Sequence, residues 1–304
     1  MTRFPRPRRF AVLLAAVTGV TALGTAAAAS VDAASDERVK PVIAREVVGS
    51  SVLGRRITLV RRAHEGAATR VLVIGSIHGD ERAGERVVRR LLKRQNLPVD
   101  LDLWVVRTIN PDGAAAYRRT NANGVDLNRN FSFDWRTSPR GETWSGPRPM
   151  SEPESQVLRR LVKRLDPWLV VSFHQPLFGV GINDEGRKTI RALAAGMALP
   201  VREFNCSGVC RGTFSSWVNN RTDGLAVTVE FARSVPAWRI TRAAKTIVRV
   251  GSAGPPGRAG ASPSPAPTAS SPTPTSEPPA TPEPTPPSTP AAPTETPVPT
   301  ATST

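Results

Sequence analysis

Between residues 42 and 250 the apolar positions follow two alternating rhythms: short unbroken runs, and longer stretches in which they return every third or fourth position. The first rhythm marks a strand buried on both faces and the second an amphipathic helix. The run at 70–77 predicts a strand, and 83–95, with Val87, Val88, Leu91 and Leu92 on one face, predicts the helix that follows. The pattern returns as a strand at 101–107, a helix at 151–165, a strand at 168–173 and a helix at 185–197. A last unit adds a short strand near Val201, a helix at 214–219, a strand at 225–231 and a helix at 236–248. Ser151 and Glu154 have the spacing of a capping box at the start of their helix. Upstream, 42–48 and 56–60 flank a Gly-Ser turn and predict a hairpin. Apolar strands separated by helices imply one α/β domain, with a mixed, mostly parallel central sheet and helices on both faces. Sheets of this kind bind ligands at the carboxyl ends of their strands.

Both flanks of that body read differently. Residues 1–34 hold a basic start and then an apolar stretch from Phe10 to Ala29, the pattern of a signal peptide. The stretch approaches the ~20 residues that cross a bilayer, so an uncleaved N-terminal anchor fits as well. Arg8-Arg9-Phe10 is compatible with a twin-arginine exporter as well as the general secretory route. Residues 251–304 collapse to Pro, Thr, Ser and Ala with a few Glu, which cannot bury a core and predicts a disordered tail. Prolines at that density favour an extended spacer of roughly 3.1 Å per residue. The expected organisation is thus an export segment, a globular domain over 42–250 and a tail, in a secreted or cell-wall-associated protein.

Charge narrows the partners. The formal net charge is +16, and it arises outside the tail, which is slightly acidic. Such a field favours acidic partners. No recognised nucleic-acid module is present and export is expected, so nucleic acid is set aside in favour of anionic cell-wall polymers. A membrane contact is expected only through an uncleaved N-terminal segment. Cys206 and Cys210 are the only cysteines, and in an oxidising compartment the short loop between them can close as a disulfide.

The body holds three histidines, and His78 and His174 each lie at the end of an apolar run, on the edge where a site forms. Glu81 follows His78 by three residues in the turn entering a helix, so both side chains can converge on one cation. Two His, one carboxylate and an open position make a catalytic zinc arrangement. Glu230 ends the run Leu-Ala-Val-Thr-Val-Glu on the same edge, where a carboxylate can take a proton from a water. Each residue alone has a plainer reading, as a strand cap or a satisfied hydrogen-bond donor. A buried carboxylate without a cation is costly, however, and four such residues on one edge favour chemistry. His64 lies in a polar turn and reads as surface.

These residues carry a resemblance. His78-Gly79-Asp80-Glu81, Asn110-Pro111-Asp112-Gly113, Gly124 to Phe131 (Gly-Val-Asp-Leu-Asn-Arg-Asn-Phe), Ser172-Phe173-His174 and Thr228-Val229-Glu230 resemble, in order and spacing, the zinc carboxypeptidase family. The resemblance implies one zinc per chain held by His78, Glu81 and His174, with Glu230 as catalytic base. It implies that Arg119 polarises the scissile carbonyl, with the neighbouring Arg118 as the alternative for that role and a candidate substrate contact. Asn128 and Arg129 match the pair that holds a substrate carboxylate, a task suited to the planar guanidinium fork.

Two features depart from the digestive members. They carry a tyrosine between the second His ligand and the base, whereas the only tyrosine here is Tyr117, well upstream; the corresponding segment holds Cys206 and Cys210. The body is also short, and its Ser145-Gly146-Pro147 and Ser151 to Glu154 stretches look more like the compact murein peptide amidases. That branch implies hydrolysis of the bond between γ-D-glutamate and diaminopimelate in peptidoglycan stem peptides. The alternatives are a carboxypeptidase acting on ordinary peptide C-termini, a deacylase, and a wall-binding module without catalysis.

Overall fold

The computed structural model describes residues 41–183, 186–204 and 210–256. The export segment and nearly all of the tail therefore lie outside the described residues. An edge hairpin comes first, β1 (Val42–Ser50) and β2 (Arg56–Ala63), followed by β3 (Thr69–Ile74), α1 (Ala83–Leu92) and β4 (Leu101–Val106). Next are α2 (Pro111–Ala116), a 3-10 turn at Leu127–Arg129, α3 (Pro153–Leu165), β5 (Leu169–His174) and β6 (Gly179–Gly181). The chain continues through α4 (Arg187–Met197), β7 (Val201–Arg202), α5 (Phe214–Arg221), β8 (Leu225–Glu230) and α6 (Ala237–Ser252).

The eight strands form one mixed sheet in the order β1-β2-β4-β3-β5-β8-β6-β7. Its centre, β4-β3-β5-β8, is parallel throughout, and antiparallel pairs flank it on both sides. Alternate residues of the central strands feed two cores. Val71, Val73, Val171, Phe173, Val227 and Val229 pack under α1, α4 and α6, while Leu72, Ile74, Val170 and Ala226 pack under α3 and α5. Burial on both faces is why these strands read as continuous apolar runs rather than as alternating ones.

The structure adds elements that periodicity did not reveal. Helix α2 is one and a half turns of Pro-Asp-Gly-Ala-Ala-Ala, started by Pro111 at its first position and by Asn110, whose side chain accepts from Gly113 N. Strand β6 is only Gly-Val-Gly. Three expectations change. The Ser151–Glu154 capping box does not form: Glu152 occupies the N-cap, Ser151 Oγ donates to Glu152 Oε1, and the Glu154 carboxylate turns to Val52 N and Asn121 Nδ2. The last helix runs to Ser252, four residues past its expected end at 248 and two past the expected domain boundary at 250. His64 is half-buried and contacts Leu97 O through Nε2 at 3.1 Å, so it joins the hairpin to the segment after α1 instead of facing solvent alone.

Helix α1 sets one wall of the catalytic edge, and it can do so because Gly84 has no side chain. A Cβ there would lie 2.1 Å from Gly75 O and 2.3 Å from Phe173 Cβ. Replacing Gly84 with Ala must push α1 off β3 and β5, and overpacking of this kind costs about 1–3 kcal/mol. Thermal unfolding followed by circular dichroism should show a lowered Tm; an unchanged Tm would mean the helix does not need this contact.

Candidate active site

The parallel register assembles the site. In the β5–β8 pair, His174 stands beside Glu230, each as the last residue of its strand. Strand β3 lies on the other side of β5, and four residues beyond its end the chain reaches His78. The loop carrying His78 rests against α2 with no room for a side chain at Gly79, where a Cβ would fall 2.0 Å from Gly113 C. Glu81 N then donates to His78 O, a turn that brings the carboxylate back beneath the imidazole.

Three side chains converge. His78 Nδ1 is 2.8 Å from Glu81 Oε1, His174 Nδ1 is 3.1 Å from Glu81 Oε2, and the two Nδ1 atoms are 3.4 Å apart. All three residues are buried, and each offers a ligand atom within 4.8 Å of the others. A tetrahedron with metal–ligand bonds near 2.0–2.2 Å has edges of roughly 3.3–3.6 Å. The nitrogen–nitrogen distance falls in that range and the carboxylate contacts lie slightly inside it, so the set fits zinc with little movement. The outer ring nitrogens are also occupied: His78 Nε2 contacts Asp126 Oδ1 at 3.0 Å, and His174 Nε2 contacts Ser172 Oγ at 3.1 Å. Such outer partners fix the ring orientation and leave Nδ1 for a cation.

The charges on these groups follow from that crowding. Burial opposes a proton on His78, but the Glu81 and Asp126 carboxylates outweigh it and raise its pKa to about 9. Burial also disfavours ionised Glu81, yet His78 and His174 hold it well below the usual carboxylate range. Asp126, fully buried, is likewise held low by His78 and then Arg119. Glu230 moves the other way: burial raises its pKa, with His174 partly offsetting and Glu81 adding to the rise. Its Oε2 accepts from Leu177 N at 3.2 Å.

Arg119 joins this cluster from α2's far side. Its Nε and Nη2 donate to Asp126 Oδ2 at 3.1 and 2.8 Å, and Nη1 donates to Glu81 Oε1 at 3.1 Å. Arg118, by contrast, is exposed and does not line the cavity. Asn128 Oδ1 accepts from Phe214 N at 2.9 Å, which fixes the amide and leaves its donor end for a ligand. Arg129 Nη1 donates to Asn128 O, while its Nε is buried with no protein partner. Of the expected Cys206–Cys210 bridge, Cys206 lies outside the described residues, and Cys210 is disulfide-bonded and lines the cavity. Tyr117 is 72 % exposed and takes no part.

The cavity around these groups measures about 530 Å³. A larger hollow, about 860 Å³, opens at the opposite ends of β5 and β8 beside Trp168 and Pro255, but it contains no histidine and none of the groups above. The cleft's remaining wall was not foreseen from sequence: Thr213, Ser215, Asn219 and Thr228 line it, together with Glu203. Ser215 and Thr228 share a 2.7 Å hydrogen bond, and Asn219 is pinned by Ala226 N and O. Gln175 was also missed; its N donates to Glu81 Oε2 while its Oε1 accepts from Ala83 N, tying β5 to the start of α1. Asp126 was visible only as part of a motif, with nothing to indicate partners 48 residues away.

Fold and site together define a mixed α/β sheet with a His-Glu-His group suited to a metal ion at the carboxyl ends of its central strands. Comparison with known proteins narrows this. The sequence profile of the zinc carboxypeptidase family matches residues 34–176. Murein peptide amidase A of Vibrio campbellii is 31% identical over 200 residues, covering 61% of this chain and 78% of that protein. The enzyme of the same name from Escherichia coli K12 is 39% identical over 119 residues, 35% of this chain; the match spans about half, 49%, of the relative's length. Among solved structures, the murein-tripeptide amidase of Escherichia coli O157 superposes with a TM-score of 0.56 at 27% identity, over 68% of this chain and 91% of that one. Carboxypeptidase A of Helicoverpa armigera, at 18% identity, shares the fold with a TM-score of 0.60 over 70% of this chain and 69% of that one. The chain belongs to the zinc carboxypeptidase family.

Since His78 must be neutral to bind a metal, zinc affinity should rise with pH, weakening about tenfold per unit as pH falls below 9. Removing the charge of its outer partner in Asp126→Asn should weaken zinc binding about 10–100-fold. Competition against a chromophoric chelator across pH measures both; a flat pH profile, or unaltered affinity in the variant, would contradict this picture of the site.

Proposed function

We propose that the protein hydrolyses an amide bond next to a free carboxylate in peptidoglycan stem peptides, outside the cytoplasm, with one zinc held by His78, Glu81 and His174. Bound there, zinc would supply Lewis acidity to the scissile carbonyl and acidify a nearby water. The remaining work falls to the chain. Glu230, beside His174 at the end of β8, takes the proton of the attacking water and returns it to the leaving amine. Burial raises its pKa, which favours the protonated form that Glu230 must reach before it can return the proton. Asp126 anchors one edge of Arg119; with Glu81 engaged by the cation, Nη1 becomes available to the carbonyl oxygen. Asn128 and Arg129, which both line the cleft, offer the amide donor and the guanidinium to the substrate carboxylate.

One observation favours stem peptides over ordinary C-termini: the part of the cleft built by α5 and β8 is polar, although Leu177, Ile182 and Phe204 line the cavity elsewhere. Thr213, Ser215, Asn219 and Thr228, with the carboxylate of Glu203, suit a terminal residue that carries an amine and a second carboxylate better than an apolar side chain. The names of the relatives point the same way. The expected export segment and Pro/Thr-rich tail would place the enzyme where that polymer lies.

The test is direct. Zinc-loaded protein incubated with L-alanyl-γ-D-glutamyl-diaminopimelate should release diaminopimelate, detected by mass, at least ten times faster than it trims ordinary peptides; equal or greater turnover of the latter would overturn the substrate assignment. Glu230→Gln should bind zinc normally yet lose about 10²–10⁴-fold in kcat. Full activity in that variant would remove the mechanism.

A further inference from the structure

Helices α1 and α6 pack side by side on one face of the sheet, and the seam between them is hollowed twice. One hollow, about 270 Å³, is lined by Arg86, Arg89, Arg90, Lys93, Ala237 and Ile240. The next, about 180 Å³, is lined by Arg90, Lys93, Arg94, Thr241, Ala244 and Lys245. Because Arg90 and Lys93 line both, the two are stretches of a single groove. Eight residues of helix at ~1.5 Å each give it a length of about 12 Å. Its rim carries six cations and no carboxylate, and its floor is Ala237, Ile240 and Ala244.

Three of these cations are held in place without being neutralised. Arg86 donates to Val235 O at 2.9 Å, Arg90 to Thr241 Oγ1 at 3.0 Å and Arg94 to Asn96 O at 2.8 Å. Among the described residues, none of the six forms an ion pair with a carboxylate. The one acid of α1, Glu85, is buried and pairs with Arg82 and Arg107, and α6 contains no acid. Six like charges over so short a distance repel one another, a cost that a bound polyanion relieves.

The geometry points to a docking groove for a linear polyanion, a phosphodiester-linked polyol chain laid along the α1–α6 seam. Its phosphates would lie between the Arg89–Arg90–Lys93 ridge and Lys245, where both guanidinium forks and a compact ammonium are on offer. Its methylene carbons would rest on the Ala237–Ile240–Ala244 floor. Other polyanions fit less well. Single-stranded nucleic acid is held by aromatic platforms for its bases, and no aromatic side chain lines the groove. A bilayer is entered by exposed apolar side chains. Here Ile240 and Ala244 of the floor are buried and only the methyl of Ala237 is exposed, while the neighbouring Trp238, though half-exposed, carries the Arg239 guanidinium 4.5 Å from its ring centroid.

Binding is measured by fluorescence anisotropy with the full chain and an end-labelled glycerol phosphate oligomer, in competition with an oligothymidylate of equal charge and with phosphatidylglycerol vesicles. The oligomer is expected to bind more tightly than either competitor, with an affinity that falls linearly with salt on logarithmic axes. The double variant Arg90→Gln/Lys93→Gln should weaken it roughly tenfold and flatten the salt slope by about 1–2. Arg90→Lys/Lys93→Arg should retain binding, as should Arg159→Gln/Arg160→Gln on α3, which covers the other face. Equal losses in the α1 and α3 variants, or tighter binding of the oligonucleotide or the vesicles, would overturn the proposal. The readout involves no hydrolysis, so its failure leaves the catalytic assignment standing.

Discussion

One buried carboxylate organises the catalytic edge. Asp126 accepts from His78 on one oxygen and from Arg119 on the other, and its Oδ1 also takes Asn128 N, the backbone of a residue that lines the cleft. A fully buried anion in a protein interior is tolerated only where several donors and charges meet it. The same contacts that make Asp126 affordable therefore dictate which way the imidazole of His78, the guanidinium of Arg119 and the Asn128–Arg129 turn must point. The proposed metal ligand, carbonyl donor and carboxylate clamp thus share one fixed point in the chain.

That arrangement works only because the sheet holds the other half of the site rigid. His174 and Glu230 are neighbours through strand register, and a slip of one residue in β8 would turn Glu230 toward the helices. The register in turn rests on two cores packed on opposite faces, so neither strand can rotate without exposing Phe173 or Val229. Gln175 closes the frame by linking the end of β5 to both Glu81 and the first turn of α1. Precision at the site thus comes from elements buried on both sides, while the cleft wall that meets substrate is built from a short, polar helix.

Legibility from sequence divides along the same line. The central strands and long helices were readable because burial imposes a period on their residues, and His78, His174 and Glu230 were readable because they interrupt apolar runs at the strand ends. Helix α2, strand β6 and the lining of α5 carry no such period: they are short, rich in Gly, Ala, Ser and Asn, and placed by contacts made far away in the chain. Ser151 and Glu154 show the converse, a local motif with the right spacing whose side chains found better partners in Asn130, Val52 and Asn121. The choice between Arg118 and Arg119 belongs to the same class, since only the left-handed turn at Tyr117 decides which of two adjacent arginines points inward.

Helix α1 connects the two halves of the functional argument. Its first turn lies just beyond the loop that carries His78 and Glu81, and its last turn carries Arg89 and Arg90 about 9–10 Å further along the helix axis, so one helix borders both the cleft and the basic groove. The charges are also ordered along the helix axis. Glu85 sits in the first turn and the arginines in the last, each complementing the helix dipole, so the cationic end stabilises the helix even before any partner arrives. On the proposed reading, an exported hydrolase whose substrate is part of an insoluble mesh would gain little from diffusing freely. A polyanion held along α1 and α6 would instead keep the catalytic edge facing a neighbouring strand of that mesh, and the loss of one contact to salt would release the enzyme without disturbing the zinc site.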